Sequence, residues 1–114
     1  MRRYAFLKEP LTTDEGGEIC KIMLCETDEG AYLFEYAGPE DQICAADLIY
    51  DSADDVSEDW DGLIDENGWT DLEDPLPGCQ QDAFIPLRVK GREAGEPEWG
   101  RYETLKDGKW VEWS

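Results

Sequence analysis

The segment Ile19-Cys20-Lys21-Ile22-Met23-Leu24-Cys25-Glu26, followed by the turn Thr27-Asp28-Glu29-Gly30 and by Ala31-Tyr32-Leu33-Phe34-Glu35-Tyr36-Ala37, reads as the clearest early β-hairpin of the chain. Gly30 accepts a positive φ, and polar turn residues separate two arms rich in β-formers. Paired symmetrically about the turn, the arms put Met23 and Cys25 on one face with Tyr32, Phe34 and Tyr36, and Ile22 and Leu24 on the other with Leu33. Both faces are apolar. Strands of that kind sit centrally in a sheet and are covered twice, so a packing layer is expected on each side.

Upstream, Tyr4 to Lys8 reads as a short strand and Leu11 to Gly17 as a polar connection broken at Gly16-Gly17. Downstream, Cys44 to Tyr50 reads as a further strand, and Ser52 is the N-cap expected of a helix with Asp54 and Asp55 in its first turn. The helix stripe is Ala53, Val56, Trp60 and Leu63 or Ile64, which is core spacing, so it can cover one face of the hairpin sheet. Asp65 to Asp82, with Asn67-Gly68, Pro75, Pro77 and Gly78, reads as irregular turns, and Ala83 to Lys90 as an edge or bulged strand because of Pro86. After a polar loop over Gly91 to Glu98, Asp107-Gly108 joins Arg101 to Lys106 with Lys109 to Trp113 in a second hairpin. Its register sets Leu105 opposite Trp110 and Glu103 opposite Glu112 on a solvent-facing side, with Trp110 partly exposed and available to a partner. Tyr102, Thr104, Val111 and Trp113 form the expected core side. The expected fold is a single α+β domain over residues 1–114, with a mainly antiparallel sheet and one acidic amphipathic helix packed on it.

The formal charge of −19 has one source. Residues 1–21 hold four basic and four acidic side chains and residues 88–114 hold six of each, whereas residues 22–87 hold 19 of the 29 Asp and Glu residues and no Lys or Arg. Such a surface attracts cations or a basic macromolecule and repels nucleic acid and anionic lipid. A salt-adapted composition would be acidic throughout, and the balanced ends argue against it. Trp60 and Trp69 lie within the acidic block, which disfavours disorder.

The helix concentrates that charge. Asp54 with Glu58, and Asp55 with Asp59, are like-charged pairs at i,i+4, each costing about 0.2–0.5 kcal/mol in an isolated helix. A solvated face tolerates such a cost, and a contact face for a basic partner puts it to use. Asp51, Asp54, Asp55, Glu58, Asp59, Asp61, Asp65 and Glu66 are the candidate contact residues, with Trp110 as a further one. Steering by clustered carboxylates and anchoring by aromatics fit an inhibitor or immunity-type protein directed at a nuclease or other nucleic-acid-binding protein, or a mimic of nucleic-acid phosphates.

The alternative is a structural or regulatory domain with weak divalent-cation binding at the helix exit. Residues 57–68 align partially with an EF-hand loop, Asp59, Asp61, Gly62, Ile64 and Asp65 matching while Ser57 and Gly68 replace the first and last acidic ligands. The chain has no histidine, phosphate loop or serine elbow, so no catalytic residue, resident metal or cofactor is assigned. Cys20, Cys25, Cys44 and Cys79, spaced C-x4-C-x18-C-x34-C, match no zinc knuckle or secreted framework. With no apolar run long enough for an export signal, reduced thiols and a cytoplasmic location are expected.

Overall fold

The computed structural model describes residues 1–113. Their contacts gather into two units, Met1–Glu73 and a second beginning at Asp74. Both are built mostly from antiparallel strands, and the single α-helix among the described residues belongs to the first, so the fold is more sheet-rich than an α+β expectation implies.

The first unit is a five-stranded sheet in the order β4-β3-β2-β1-β5, made of β1 (Arg2–Thr12), β2 (Glu18–Thr27), β3 (Gly30–Tyr36), β4 (Ala46–Tyr50) and β5 (Thr70–Leu72). The β2–β3 hairpin has the register read from its pattern: Met23 opposes Phe34, Leu24 opposes Leu33, and Cys25 opposes Tyr32. Both of its faces are buried. On one, Ile22, Leu24, Ala31 and Leu33 pack with Ala5, Leu7 and Ile19, and helix α1 (Ala53–Trp60) supplies Val56 and Trp60. Each fully buried aliphatic side chain contributes about 1.5–3 kcal/mol. On the other, Lys21, Met23, Cys25, Phe34 and Tyr36 are buried. Of the two candidates that follow the helix, Ile64 joins the core and Leu63 is exposed.

Lys21 is a buried cation on that second face. Its Nζ donates to the carbonyls of Pro39 at 2.9 Å and Asp41 at 3.1 Å and lies 4.9 Å from the centre of the Tyr36 ring. Desolvation lowers its pKa, while the nearby Asp41 carboxylate opposes that shift.

Three elements differ from the sequence reading. β1 is longer than Tyr4 to Lys8 and continues through Pro10, where the register against β2 shifts between Phe6 and Leu11, the irregularity expected of a residue without an N–H donor. Thr70–Leu72, within the expected turn region, is a strand because it lies beside β1, pairing Arg2 with Leu72 and Tyr4 with Thr70. In the second unit, β6 is only Leu87–Val89 and begins just after Pro86.

β6, β7 (Tyr102–Lys106) and β8 (Lys109–Trp113) form a three-stranded sheet in that order. The β7–β8 register is the expected one, Leu105 opposite Trp110 and Glu103 opposite Glu112. Its proposed core side is corrected: Tyr102, Thr104 and Trp113 are only half-buried, and Val111 is 38% exposed. No helix among the described residues is long and apolar enough to cross a membrane. All four cysteines are thiols; Cys25 is buried and the others are half-buried.

Candidate acidic interface

Ser52 stands in an extended conformation before α1, and its Oγ accepts a hydrogen bond from the Asp55 N–H at 3.3 Å, the arrangement expected of an N-cap. Asp54 and Asp55 then sit where the positive end of the helix dipole favours carboxylates. The last turn holds no basic residue, so Glu58 and Asp59 lie toward the end that disfavours them. At about 100° per residue, burial of Val56 and Trp60 turns Asp54 and Glu58 directly outward, and both are exposed.

The eight acidic candidates all fall in the first unit, but they divide by what they bond. Asp59 Oδ2 accepts from the Tyr50 hydroxyl at 3.0 Å, and the same hydroxyl accepts from Trp60 Nε1 at 3.1 Å, tying α1 to β4. Burial raises the Tyr50 pKa, the Trp60 hydrogen bond offsets part of that rise, and Asp59 adds to it. Asp61 Oδ1 accepts from Trp69 Nε1 at 3.0 Å. Asp65 accepts from the Asn67 N–H at 3.1 Å, closing a turn after the helix. These three carboxylates have structural work. Asp51, Asp54, Glu58 and Glu66 are exposed, and Asp55 is half-buried.

Lys8 is the residue that sequence reasoning missed. The chain leaving α1 runs back beside β1: Leu7 bridges Ile64, the Lys8 N–H donates to Leu63 O at 2.9 Å, and the Asp65 N–H donates to Phe6 O at 2.8 Å. Lys8 Nζ donates to Gly62 O at 3.2 Å and lines a shallow depression with Asp61, Ile64, Asp65 and Glu66. The helix exit therefore has a neighbouring cation, whereas none lies within the sequence around Asp54 and Glu58. No local pattern signals this, because Lys8 arrives by tertiary pairing.

The EF-hand alignment is overturned by secondary structure. Ser57, Glu58, Asp59 and Trp60, its first four positions, lie in α1 rather than in a loop. Among the described residues, no group of three or more Cys, Asp or Glu side chains is arranged to hold a metal ion.

A second acidic depression lies beside the β1–β2 turn and the start of β4, lined by Asp14, Glu15, Glu18, Glu35, Ala45 and Ala46 among others. Glu35 is half-buried there, and desolvation raises its pKa above the usual 4.5.

Trp110 is in the second unit and half-buried. The Arg88 guanidinium lies 3.8 Å from the centre of its ring and reaches Glu103 at 3.3 Å and Glu93 at 3.6 Å. Its cover comes from β6, reaching across the intervening strand β7, so one ring face is already occupied. Glu112, opposite Glu103, is paired with Arg101 at 2.7 Å.

No family model, curated protein or solved structure matches this chain.

Proposed function

We propose that this chain is an acidic, non-catalytic interaction module that captures a basic protein surface, as an inhibitor or immunity-type protein or a mimic of nucleic-acid phosphates does. The observation that carries the reading is the outward face of α1, where Asp54 and Glu58 are exposed side by side on a capped helix whose other face is buried. Asp51 and Asp55 extend that surface, while Asp59, Asp61 and Asp65 serve mainly to hold it in shape. A rigid carboxylate array raises the association rate of a cationic partner, and screening removes that advantage as salt rises.

Capture from a native lysate at low ionic strength, with elution in a salt gradient, tests the reading. The wild-type chain should retain basic proteins that elute near physiological ionic strength, and the Asp54→Lys/Glu58→Lys variant should lose them while keeping its circular dichroism spectrum. Retention of the same proteins at the same salt by that variant would show that α1 is not the contact face.

A further inference from the structure

The sheet of the first unit has two edges, and they are unlike. β5 is three residues long, whereas β4 runs for five, Ala46-Asp47-Leu48-Ile49-Tyr50, and among the described residues pairs only with β3. Exposed sheet edges are ordinarily blunted by lysine, proline, a bulge or a covering segment. β4 has no Lys or Pro, its register against β3 is unbroken from Ala46 to Tyr50, and Ile49 is 74% and Leu48 40% exposed. A β-branched side chain so exposed on an unblunted edge is the feature of a strand that accepts another strand.

Charge decides which strand. Asp47 and Ile49 share one face by the two-residue period of a strand, and Asp51 follows immediately. A second copy would bring a chain of charge −19 against another of charge −19, with aspartates of one edge facing those of the other. A cationic strand meets no such opposition. We infer that β4 is a docking edge for an extended basic segment of the partner, which adds a sixth strand with an apolar residue beside Ile49 and Lys or Arg beside Asp47 and Asp51. The inference rests on the proposal that the partner is basic and adds how it is held: backbone hydrogen bonds supply affinity, and the alternation basic–x–apolar–x–basic supplies selectivity.

The test uses the full chain and three fluorescein-labelled peptides of the same charge. One contains Lys-Thr-Ile-Thr-Lys flanked by threonines, and the other two are the same sequence with every second backbone nitrogen methylated, one in each phase, so that one phase blocks the pairing edge. At low salt the plain peptide should bind, and the blocking phase should weaken binding by at least about tenfold, as expected for losing one or two backbone hydrogen bonds. Ile49→Lys, at an exposed position, should do the same with an unchanged unfolding midpoint. Equal binding of plain and both methylated peptides, lost in Asp54→Lys/Glu58→Lys but kept in Ile49→Lys, would overturn the edge while leaving the basic-partner reading intact. Failure of every peptide to bind at low salt would overturn both. A concentration-dependent dimer of the chain alone, dissolved by Ile49→Lys, would give the edge to a second copy and overturn the inference.

Discussion

The Tyr50 hydroxyl stands between Trp60 Nε1, from which it accepts at 3.1 Å, and Asp59 Oδ2, to which it donates at 3.0 Å, and so couples the end of β4 to the last turn of α1. The acidic helix and the open edge strand are consequently held in one arrangement. Asp59 belongs to this coupling, so replacing it would disturb structure and charge together; Asp54 and Glu58 are the residues on which contact can be tested cleanly.

Tyr50→Phe removes the acceptor of a buried tryptophan N–H and the donor to Asp59 while keeping the ring. A loss of about 1–3 kcal/mol is expected from urea unfolding, the cost of leaving a buried donor unmade. The wild type should also show an alkaline limit that the variant lacks. Because the folded-state pKa of Tyr50 is raised, its contribution is fully present below the unfolded value of about 10 and is lost as pH rises through the folded value. Unfolding midpoints of both proteins from about pH 8 to about pH 11, a range that spans the ordinary phenol value of about 10, check this, and parallel curves would remove Tyr50 as the cause.

Gly30 has φ of +140° at the β2–β3 turn, and a Cβ there would lie 2.8 Å from the carbonyl oxygen of Tyr50. Gly30→Ala therefore combines an unfavourable backbone region with a backbone collision that no side-chain rotation relieves. Destabilisation of at least about 1 kcal/mol is expected. Amide exchange should accelerate first in β4, the strand that the collision pushes away. Exchange spread evenly over the sheet would mean that the turn alone carries the effect.

The β2–β3 hairpin was legible because every residue from Ile22 to Cys25 alternates between two apolar faces and one glycine fixes the turn, so local pattern and tertiary register coincide. The helix was legible for the same reason: Ser52, the first-turn aspartates and the Val56–Trp60 spacing are all local. β5 was not, since Thr70-Asp71-Leu72 has no strand pattern of its own and acquires its conformation from β1. Lys8 beside the helix exit was hidden likewise, being 54 residues from Gly62 in sequence. Ile49 shows the converse limit. Its apolar run reads as a strand, but an edge strand has a neighbour on one side only, and burial there follows position in the sheet rather than hydropathy.

Arg88 over Trp110 gives the second unit its own test. Arg88→Ala uncovers the indole and leaves Glu103 facing Glu112 across β7 and β8 with one cation fewer. Tryptophan emission should shift to the red, and unfolding should cost about 1–2 kcal/mol from the lost cation–π contact and partly buried ion pair. Arg88→Lys keeps the charge but not the planar stacking group, so an intermediate shift is expected. Unchanged emission in Arg88→Ala would show that the stack is not formed in solution.

The carboxylates also predict how stability depends on pH and salt. Burial raises the Glu35 pKa above 4.5, so the folded chain holds that proton more tightly than the unfolded chain. Its charged form carries a penalty at neutral pH that is relieved as pH falls toward the raised value. Glu112 has the opposite sign: the hydrogen bond from Arg101 lowers its pKa, and the stability this gives above 4.5 is lost as pH falls through the folded-state value. Melting temperature should therefore rise between neutral pH and about pH 5 and fall once the favourably bonded carboxylates protonate, below their ordinary values near 4. Sodium chloride at neutral pH should raise it as well, by screening. In Asp54→Asn/Glu58→Gln the salt response should shrink, because the repelling pair is gone while the helix cap and the Tyr50 coupling remain. A wild-type melting temperature indifferent to salt would mean that the exposed carboxylates do not oppose one another, and the outward face of α1 would lose its physical claim on a cationic partner.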